Sequence, residues 1–514
     1  MLSNLKSLVV IWGIALVVFH FAKPLALRYM SSAVFSFRRN LWLGLTTLAF
    51  ICPSFWIFSP IAIGILLWAV RRDPNPLALY LLVLHIIPPI SLYIPVVGVN
   101  NLFDLNNFRI LALGVLLPTA LGPMRSEPRP SGTSLRSIDT LVILYCLLQL
   151  ALFIPYESVT NTMRRGFLLA LDVLLLYYVF SRAATKREQI NEAMATFTLT
   201  CAVHAIIAIF ESTKGWLLYQ TLGGAWDVLD GQSWLLRGNT LRAQASAGHA
   251  LTLGYLLSMG FGFWLHLADR FESKTTRLAG ALCMWIGLIG SYSRAPWLTA
   301  VLVFFLYLAM SPRGTAKVVK AGLWLAALSA LVLISPLGDR ILDNLPFVGT
   351  VDEGNVLYRQ RLAEVSWSLI QQNPFFGDPF FMNNMEELRQ GQGIIDLVNG
   401  YAAIALASGL VGLSLFVGFF AMAMLSAFGA ARRAAASGST DDEMLGACLV
   451  ACLLGTLFMI ATGGFGAGLA QMAWVLAGFC VSYSRLGSAM NGVKSPPAVR
   501  QQFPRDWPVG SRGR

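Results

Sequence analysis

Residues 278–309 read LAGALCMWIGLIGSYSRAPWLTAVLVFFLYLA, which is two apolar runs joined by a short polar turn. Such runs predict membrane-spanning helices, because about 20 apolar residues cross a hydrocarbon core of roughly 30 Å. The turn contains Arg294, and the charge pattern of the chain puts this turn on the outer side of the membrane. Positive charge is normally scarce there. An arginine that must be desolvated or paired is a candidate functional residue.

The composition extends this pattern to the whole chain. Of 514 residues, 56% are hydrophobic and 12% are charged, and the mean hydropathy is +0.64. Backbone in lipid must be helical or form a closed barrel, and these runs are too long for barrel strands. We therefore expect an all-α, polytopic integral membrane bundle. The run 1–20 lacks a small-residue cleavage site and predicts a retained span rather than a signal peptide.

The net charge of +12 lies largely in short turns and in the tail 485–514. This distribution is typical of topology signals and of attraction to anionic lipid, so no nucleic acid is expected as a partner. All seven cysteines lie in apolar runs, which disfavours a disulfide framework or a zinc site. The outer loops contain no Asp-x-Asp cluster, and we expect neither a metal nor a cofactor.

Basic residues assign the two sides of the membrane. The connections predicted to be cytoplasmic contain Arg125/Arg129/Arg136, Arg182/Lys186/Arg187, Arg270/Lys274/Arg277, Arg313/Lys317/Lys320, Arg432/Arg433 and the tail. The outer side receives 98–108, 155–165, 212–245, the 291–296 turn, 337–398 and 462–466. This register predicts about twelve spans from Leu77 to Tyr483.

The run 41–70 has two interpretations. Basic residues on both sides of it put both of its ends inside. The run is about 30 residues long with Pro53 and Pro60 near its middle, which predicts a hairpin of two short helices. A single tilted span is the alternative.

These features divide the chain into five parts. They are N-terminal membrane segments (1–76), a transmembrane bundle (77–336) with an outer loop at 212–245, a periplasmic helical lid loop (337–397), C-terminal transmembrane helices (398–484) and a basic cytoplasmic tail (485–514). Prolines and scattered arginines predict that the tail is disordered from about residue 495.

The lid loop is too long for a simple connector. Apolar residues recur in it at helical spacing and predict an amphipathic helix that rests on the membrane surface. The stripe consists of Tyr358, Leu362, Val365 and Leu369. An Asn-Pro pair at 373–374 ends this helix, a Phe-Phe-Gly turn follows at 375–377, and a second short helix is expected over 383–390.

Among the arginines on the outer side we single out Arg242 before a span and Arg359 and Arg361 in the lid helix. The two lid arginines point to nearly opposite sides of their helix, so only one is expected to face the core. Guanidinium groups bind phosphate oxygens bidentately and stay charged, which with Arg294 predicts a site for a lipid-linked pyrophosphate. The alternative for Arg242 is a headgroup anchor. The alternative for His249 is a hydrogen-bonded core histidine.

Four motifs follow one another on the outer side. They are Leu241-Arg-Ala-Gln-Ala-Ser-Ala-Gly-His249, Ser293-Arg294, Tyr358-Arg-Gln-Arg361 with Asn373-Pro-Phe-Phe-Gly377, and Asp396-Leu-Val-Asn-Gly-Tyr401 leading into Ser408-Gly-Leu-Val-Gly-Leu413. In order and topology they resemble the O-antigen ligase and Wzy-type polysaccharide polymerase superfamily, over roughly 212–420. The resemblance implies a GT-C-like membrane glycosyltransferase.

One position departs from the family pattern. Where many members, the ligases especially, have His-Asn at the end of the loop, this chain has Val398-Asn399. The missing histidine favours a polymerase over a lipid A-core ligase. Asp396 is the candidate general base in its place, and an N-cap of the following helix is the alternative for this residue.

The resemblance implies polymerisation of undecaprenyl-pyrophosphate-linked repeat units at the periplasmic face of a bacterial inner membrane. The expected catalytic residues are Arg294, Arg242 and Asp396, and the expected substrate-binding residues are Arg359, Arg361, Asn399, Tyr401, Ser293 and His249. An acceptor glycan, the bilayer and a chain-length regulator are the other expected partners. The alternatives are an O-antigen ligase and a lipid-linked sugar flippase, although a flippase predicts internal repeats that this sequence lacks.

Overall fold

In the residues that the structure describes, the chain folds mainly into α-helices. The computed structural model describes residues 2–94, 102–122, 133–226, 235–237, 240–334, 353–389 and 395–492. The predicted lid residues 337–352 and 390–394 and the tail from residue 493 lie outside the described residues. In the described part, the all-α, polytopic membrane architecture expected from the sequence is confirmed.

The helices fall into two groups along the chain. Before the loop that carries Arg242 they are α1 (Leu2–Ala26), α2 (Ser32–Ile51), α3 (Phe55–Val70), α4 (Pro76–Val83), α5 (Asn107–Leu111), α6 (Leu117–Leu121), α7 (Thr133–Ala151), α8 (Val159–Leu169), α9 (Leu176–Arg182), α10 (Arg187–Lys214) and α11 (Gln220–Ala225). After it they are α12 (Ala250–Ala268), α13 (Lys274–Gly290), α14 (Arg294–Ala309), α15 (Gly314–Ile334), α16 (Glu353–Gln372), α17 (Gly400–Ala436), α18 (Thr440–Gly463) and α19 (Ala467–Gly492).

Short irregular elements complete the chain. The π-helical turns Ala112–Leu116 and Ala170–Leu175 join α5 to α6 and α8 to α9. The strands form two antiparallel pairs, β1 (Ser91–Tyr93) with β2 (Asp104–Asn106) and β3 (Leu236–Arg237) with β4 (Thr240–Leu241). The 3-10 turns are Ile154–Tyr156, Ala245–Ala247, Phe381–Asn384 and Glu386–Leu388.

Seven described helices are long and apolar enough, by length and composition, to cross a membrane. They are Ser3–Ala26, Leu135–Tyr156, Arg187–Lys214, Ala250–Ala268, Gly314–Leu331, Gly400–Ala436 and Thr440–Gly463. Three shorter apolar helices occupy Phe55–Val70, Asn107–Leu121 and Arg294–Ala309. The count of about twelve spans stays a prediction.

The run 41–70 contains two helices. The first, α2, ends at Ile51, and α3 begins at Phe55, where the Ser54 hydroxyl accepts the N–H of Trp56. The break falls at Pro53, while Pro60 lies inside α3. Two helices, as the proline spacing predicted, therefore replace the alternative of a single tilted span.

Arg38, one of the basic residues before this run, is buried, with 1% of its surface exposed. Its Nε and Nη2 atoms donate to the two carboxylate oxygens of Asp73 at 2.8 and 2.7 Å, and Nη2 lies 2.9 Å from Glu192 Oε1. Two carboxylates compensate the buried guanidinium. The residue therefore joins α2 to α10.

The most deeply buried spans form the centre of the bundle. In the apolar windows of α10, α12 and α18, 78%, 83% and 78% of the residues are buried, against 6% in α15. A span apolar on all sides is stable in protein or in lipid, so the exposed surface of α15 suits contact with the bilayer. The loop that precedes α12 and the turn between α13 and α14 build the candidate site.

The lid helix α16 packs through the predicted stripe. Leu362 is buried against Phe381, Met385 and Leu388, and the other three stripe residues pack on the same cluster. The helix ends at Gln372, before the Asn-Pro pair, as predicted. The second short helix was expected over 383–390, but two 3-10 turns separated at Met385 occupy its described part.

The turn after α16 is built into a break in α17. At Gly409 the backbone leaves helical geometry, with φ 64° and ψ −170°. The Leu406 carbonyl accepts the N–H of Asp378 at 2.7 Å, and the N–H of Leu410 donates to the Pro374 carbonyl at 2.8 Å. The lid turn thereby supplies hydrogen bonds that an unbroken helix would make internally, which an irregular segment in a membrane protein requires.

Glycine at position 377 is necessary for this junction. Gly377 has φ +65°, and a β-carbon there would lie 2.4 Å from the Leu406 carbonyl oxygen. We expect Gly377→Ala to lower the free energy of unfolding by about 2 kcal/mol or more, since both the backbone and the contact are strained. Thermal unfolding and the rate of tryptic cleavage in the lid measure the effect.

Gly322→Ala is the matched control, because a β-carbon at Gly322 in α15 has nothing within 4 Å. This variant should unfold and be cleaved like the wild type. Wild-type stability and cleavage in Gly377→Ala would contradict the close packing of the lid turn against α17.

Candidate active site at the Arg294 turn

The turn that precedes Arg294 is packed against α12. A β-carbon at Gly254 would lie 2.8 Å from Ser291 Oγ and 2.9 Å from Pro296, so only glycine permits this approach. One helical turn further on, the Ser258 hydroxyl donates to the Pro296 carbonyl at 2.8 Å. Arg294 is the first residue of α14 and is half-buried. The turn is therefore fixed against the bundle.

Arg242 reaches this turn from the loop before α12. Its Nη2 atom donates to Ser293 Oγ at 2.8 Å, and its Nε atom lies 3.5 Å from the Ser291 carbonyl oxygen. The next backbone N–H, that of Ala243, donates to the Gly290 carbonyl at 3.1 Å. Side-chain and backbone bonds thus join two segments that are distant in the sequence.

Arg237 is a third arginine at this turn and was not among the sequence candidates. The β3–β4 pair places it opposite Thr240, and its Nη1 atom donates to the Tyr292 carbonyl at 2.9 Å. A signal for this arrangement exists, because the Gly-Asn pair at 238–239 is typical of a two-residue hairpin. Such a hairpin brings Arg237 back toward Arg242.

We call Arg237, Arg242 and Arg294 the arginine cluster. Burial lowers the pKa of Arg242 to about 10, and the positive charge of Arg237 adds to this effect. Burial also lowers the pKa of Arg237, with a further contribution from the charge of Arg294. Three guanidinium groups therefore share one small region of restricted solvation.

Within the described part of the chain, neither Arg237 nor Arg242 forms an ion pair with a carboxylate. Their hydrogen-bond partners at the turn are a hydroxyl and backbone carbonyls. A bound polyanion would relieve both the mutual repulsion and the incomplete solvation of these groups. The cluster is therefore suited to an anionic ligand with several oxygens.

A buried carboxylate, that of Glu211 near the end of α10, holds the loop that carries Arg242. Its Oε2 atom accepts the N–H groups of Gln244 and Ala245 at 2.9 and 2.8 Å, and Oε1 accepts that of Leu218 at 3.0 Å. The residue has 0% exposure. Three N–H donors stabilise the buried carboxylate. A sequence signal existed in the form of an acidic residue inside an apolar span.

This loop also contains strained backbone. Ala245 has φ 45° without being glycine, a conformation that costs of order 1 kcal/mol or more and persists where surrounding bonds enforce it. The bond from its N–H to Glu211 is one such constraint. Gly248 has φ +76°, and a β-carbon there would lie 2.5 Å from Pro89. The loop is therefore held at several points between Arg242 and the start of α12.

His249 lies close enough to Arg242 and to Asp396 for the charges of both to affect its pKa. Desolvation lowers the pKa of His249, the positive charge of Arg242 lowers it further, and the negative charge of Asp396 opposes both. The ring is open to solvent yet surrounded by enough protein to lose part of its hydration. Its Nδ1 accepts the N–H of Leu251 at 3.2 Å, so the neutral ring carries its proton on Nε2. That N–H can donate to a ligand.

The lid holds Asp396 by its backbone. The Tyr358 hydroxyl accepts the N–H of Asp396 at 3.0 Å and lies 3.3 Å from its carbonyl oxygen. The side chain of Asp396 is exposed. The alternative role of this residue as an N-cap is wrong, because Asn399 caps α17.

The residues after Asp396 have structural contacts of their own. Asn399 Oδ1 accepts the N–H groups of Tyr401 and Ala402 at 3.0 and 3.2 Å. The Tyr401 hydroxyl donates to the Leu457 carbonyl at 3.0 Å, and its ring packs on Phe416. Among the described contacts, these bonds use Asn399 Oδ1 and the Tyr401 hydroxyl and leave the Asn399 amide nitrogen to meet a sugar. The binding roles of both residues stay predictions.

The lid arginines have separate surroundings. Arg361 pairs within the lid with Glu364 at 3.2 Å and with Glu387 at 3.3 Å. Arg359 is exposed and forms no ion pair with the described residues. Among the described contacts the third guanidinium at the Arg294 turn comes from Arg237 rather than from the lid. The proposed phosphate-binding roles of Arg359 and Arg361 stay predictions.

The chemistry available at the site comes from arginine, imidazole and carboxylate groups. Among the described residues, no three His, Cys, Asp or Glu side chains converge as metal ligands. The arrangement can bind phosphate oxygens at the arginines and exchange a proton at Asp396 or His249. The latter two groups have different charges, which suits acid and base roles.

The bonds to Glu211 make the position of Arg242 sensitive to one substitution. Glu211→Gln replaces an acceptor oxygen by an NH2 group that faces a backbone N–H, and we expect a loss of about 1–3 kcal/mol in stability. Thermal unfolding measures this loss. Glu188→Gln, at an exposed carboxylate in the first turn of the same helix, is the matched control and should unfold close to the wild type. Glu211→Gln with wild-type stability would contradict the restraining role.

The charges around His249 predict opposite shifts of its pKa in two variants. Arg242→Gln removes a positive charge and should raise the pKa of His249, so that the ring loses its proton at higher pH. Asp396→Asn removes a negative charge and should lower this pKa. The chain has five histidines, and a pH titration by NMR of labelled imidazoles resolves them. Shifts of the same sign, or no shift, would contradict the proximity of the three groups.

Part of the chain matches a known protein family. Residues 279–417 match the family model described as O-antigen ligase, Wzy_C, a span from α13 through the lid into α17. The match contains Arg294 and Asp396, while Arg242 precedes it. No curated protein matches the chain significantly. The resemblance predicted from the sequence is thus confirmed, and the chain carries, at residues 279–417, the domain of the O-antigen ligase and Wzy-type family.

Proposed function

We propose that the protein polymerises undecaprenyl-pyrophosphate-linked oligosaccharide repeat units at the periplasmic face of the bacterial inner membrane. Members of its family are glycosyltransferase-like enzymes with lipid-linked glycan substrates, ligases or polymerases. The observation that carries the proposal is the arginine cluster, in which Arg242 bonds to the turn of Arg294 and Arg237 bonds to the same turn. A pyrophosphate is the anion that matches several guanidinium groups.

In the proposed reaction, a hydroxyl oxygen of the acceptor glycan attacks the anomeric carbon of the donor repeat unit. The bond from that carbon to the pyrophosphate oxygen breaks, and the electron pair leaves with undecaprenyl pyrophosphate. Negative charge grows on the leaving oxygen as the bond breaks. Arginines already fixed at that position stabilise this charge without reorganising, which is an effective form of catalysis in a partly desolvated site.

The proton of the acceptor hydroxyl passes to a base. Asp396 is our candidate because its side chain is exposed, its charge acts on His249 and its backbone is held by Tyr358. Where many family members have a histidine, this chain has Val398, but His249 supplies an imidazole from another element. The Nε2–H of its neutral ring can hold a sugar or phosphate oxygen while Asp396 accepts the proton.

A ligase reaction is the alternative, in which the finished glycan is transferred to lipid A-core or another acceptor. The description of the matching family model favours it. The replacement of histidine by Val398 favours a polymerase. Both reactions use the same donor and the same leaving group, so the arginine cluster has one role in either case.

The test is the chain-length distribution of the glycan in cells that produce Arg294→Ala, Arg242→Ala or Arg237→Ala at the wild-type level. Loss of one preorganised donor typically slows such steps by about 10²–10³, and we expect single repeat units to accumulate on the lipid carrier. Arg389→Ala is the matched control, because Arg389 is an exposed lid arginine that pairs with Glu386 at 2.6 Å. It should leave the distribution unchanged.

The accumulated species distinguishes the reactions. Single repeat units on the carrier support the polymerase, and full-length polymer on the carrier supports the ligase in its place. Wild-type distributions in all three cluster variants would contradict a catalytic role for the cluster.

A further inference from the structure

A cleft of about 790 Å³ lies between α1, α10, α12 and α13, and no residue of the arginine cluster lines it. Its lining is almost wholly apolar and includes Val17, Phe21, Ala202 and Met284. Val17 and Phe21 are 56% and 75% exposed, so the cleft opens on the outer surface of the bundle. In a membrane-spanning protein such a surface faces lipid. The cleft therefore suits a hydrocarbon chain that enters sideways from the bilayer.

The length of the cleft corresponds to one leaflet. Along α1 its lining extends from Gly13 to Ala26, which is about 20 Å at 1.5 Å per residue. One leaflet of the hydrocarbon core is about 15 Å thick. An acyl chain can therefore lie along α1 from the end of the helix toward the middle of the membrane.

Two arginines stand at the end of the cleft. The guanidinium of Arg28 lies 5.2 Å from the ring centroid of Phe271, and that of Arg270 lies 5.4 Å from the ring centroid of Tyr29. Both rings line the cleft. Arg28 Nη1 also donates to the Arg270 carbonyl at 3.0 Å. The two positive charges are thus attached to the walls of the cleft.

The carboxylates near them are exposed to solvent, and one of these, Asp269, lies 3.8 Å from Arg277. In the described part of the chain, the nearest ion pair of Arg270 is with Asp441 at 4.0 Å, and the Asp441 side chain is 84% exposed. Arg28 forms no ion pair with a described carboxylate. Exposed pairs at this distance contribute little. The charges at the end of the cleft remain available to an anionic group.

The charge pattern assigns this end of the cleft to the cytoplasmic side, because Arg270, Lys274 and Arg277 belong to a predicted cytoplasmic connection. We propose that the cleft binds an anionic phospholipid of the cytoplasmic leaflet, with an acyl chain along α1 and the phosphate at Arg28 and Arg270. Basic pockets between spans on this side commonly bind such headgroups. The site is separate from that of glycosyl transfer, and its assignment to the cytoplasmic leaflet rests on the predicted topology.

The experiment titrates the purified full-length protein with phosphatidylglycerol and with phosphatidylcholine of the same acyl chains and counts bound lipids by native mass spectrometry. We expect one phosphatidylglycerol to bind well above the background of phosphatidylcholine. Arg28→Gln/Arg270→Gln should weaken phosphatidylglycerol binding roughly 30-fold, since each basic residue near anionic lipid contributes about a factor of five. Arg432→Gln, at an exposed arginine that rests on Phe428, should bind like the wild type.

A second variant tests the apolar part of the site. Gly13 lines the cleft, and a β-carbon there has nothing within 4 Å. We therefore expect Gly13→Phe to occupy part of the cleft and to remove the bound lipid at unchanged thermal stability. Equal binding of both lipids, or wild-type binding in the double arginine variant or in Gly13→Phe, would overturn the proposal. Polymer length in cells is a separate measurement, so failure here leaves the proposed glycosyl transfer untouched.

Discussion

The carboxylate of Glu211 is the interaction on which the arrangement of the candidate site depends. It accepts three backbone N–H groups, two of them from the residues that follow Arg242 and Ala243. A carboxylate away from water is costly unless such donors surround it, and a loop with left-handed backbone at Ala245 needs an external restraint. The N–H groups of the loop stabilise the carboxylate, and the carboxylate in turn restrains the loop. The restrained loop then brings Arg242 to the turn of Arg294.

The lid depends on a comparable exchange of hydrogen bonds. A break at Gly409 leaves backbone groups of α17 without helical partners, and the turn after the lid helix supplies them. The same lid presents Tyr358, whose hydroxyl binds the backbone of Asp396. The proposed base and the proposed arginines are therefore held by backbone contacts from different parts of the chain. Fixed geometry of this kind is what stabilisation of a developing charge requires.

The sequence was sufficient for features that depend on local pattern. Apolar periodicity predicted the packed stripe of the lid helix, proline spacing predicted the break between α2 and α3, and motif order predicted the family. It was insufficient where distant segments meet. The spacing of Arg237 and Arg294 in the sequence does not indicate that they meet. The backbone N–H groups reach Glu211 only once the loop has folded. The N-cap of α17 is Asn399 rather than Asp396, which the sequence also allowed. Asp and Asn can both cap a helix, so residue type alone does not distinguish them.

The most direct test of the arginine cluster is a structure of the full-length protein with bound undecaprenyl pyrophosphate, determined by electron cryomicroscopy in a lipid nanodisc. We expect pyrophosphate oxygens at about 2.7–3.1 Å from guanidinium nitrogens of Arg237, Arg242 and Arg294. Glu211 should keep its bonds to the loop in the complex. A pyrophosphate bound away from these three side chains, with the cluster solvated as before, would contradict a pyrophosphate-binding role for the cluster.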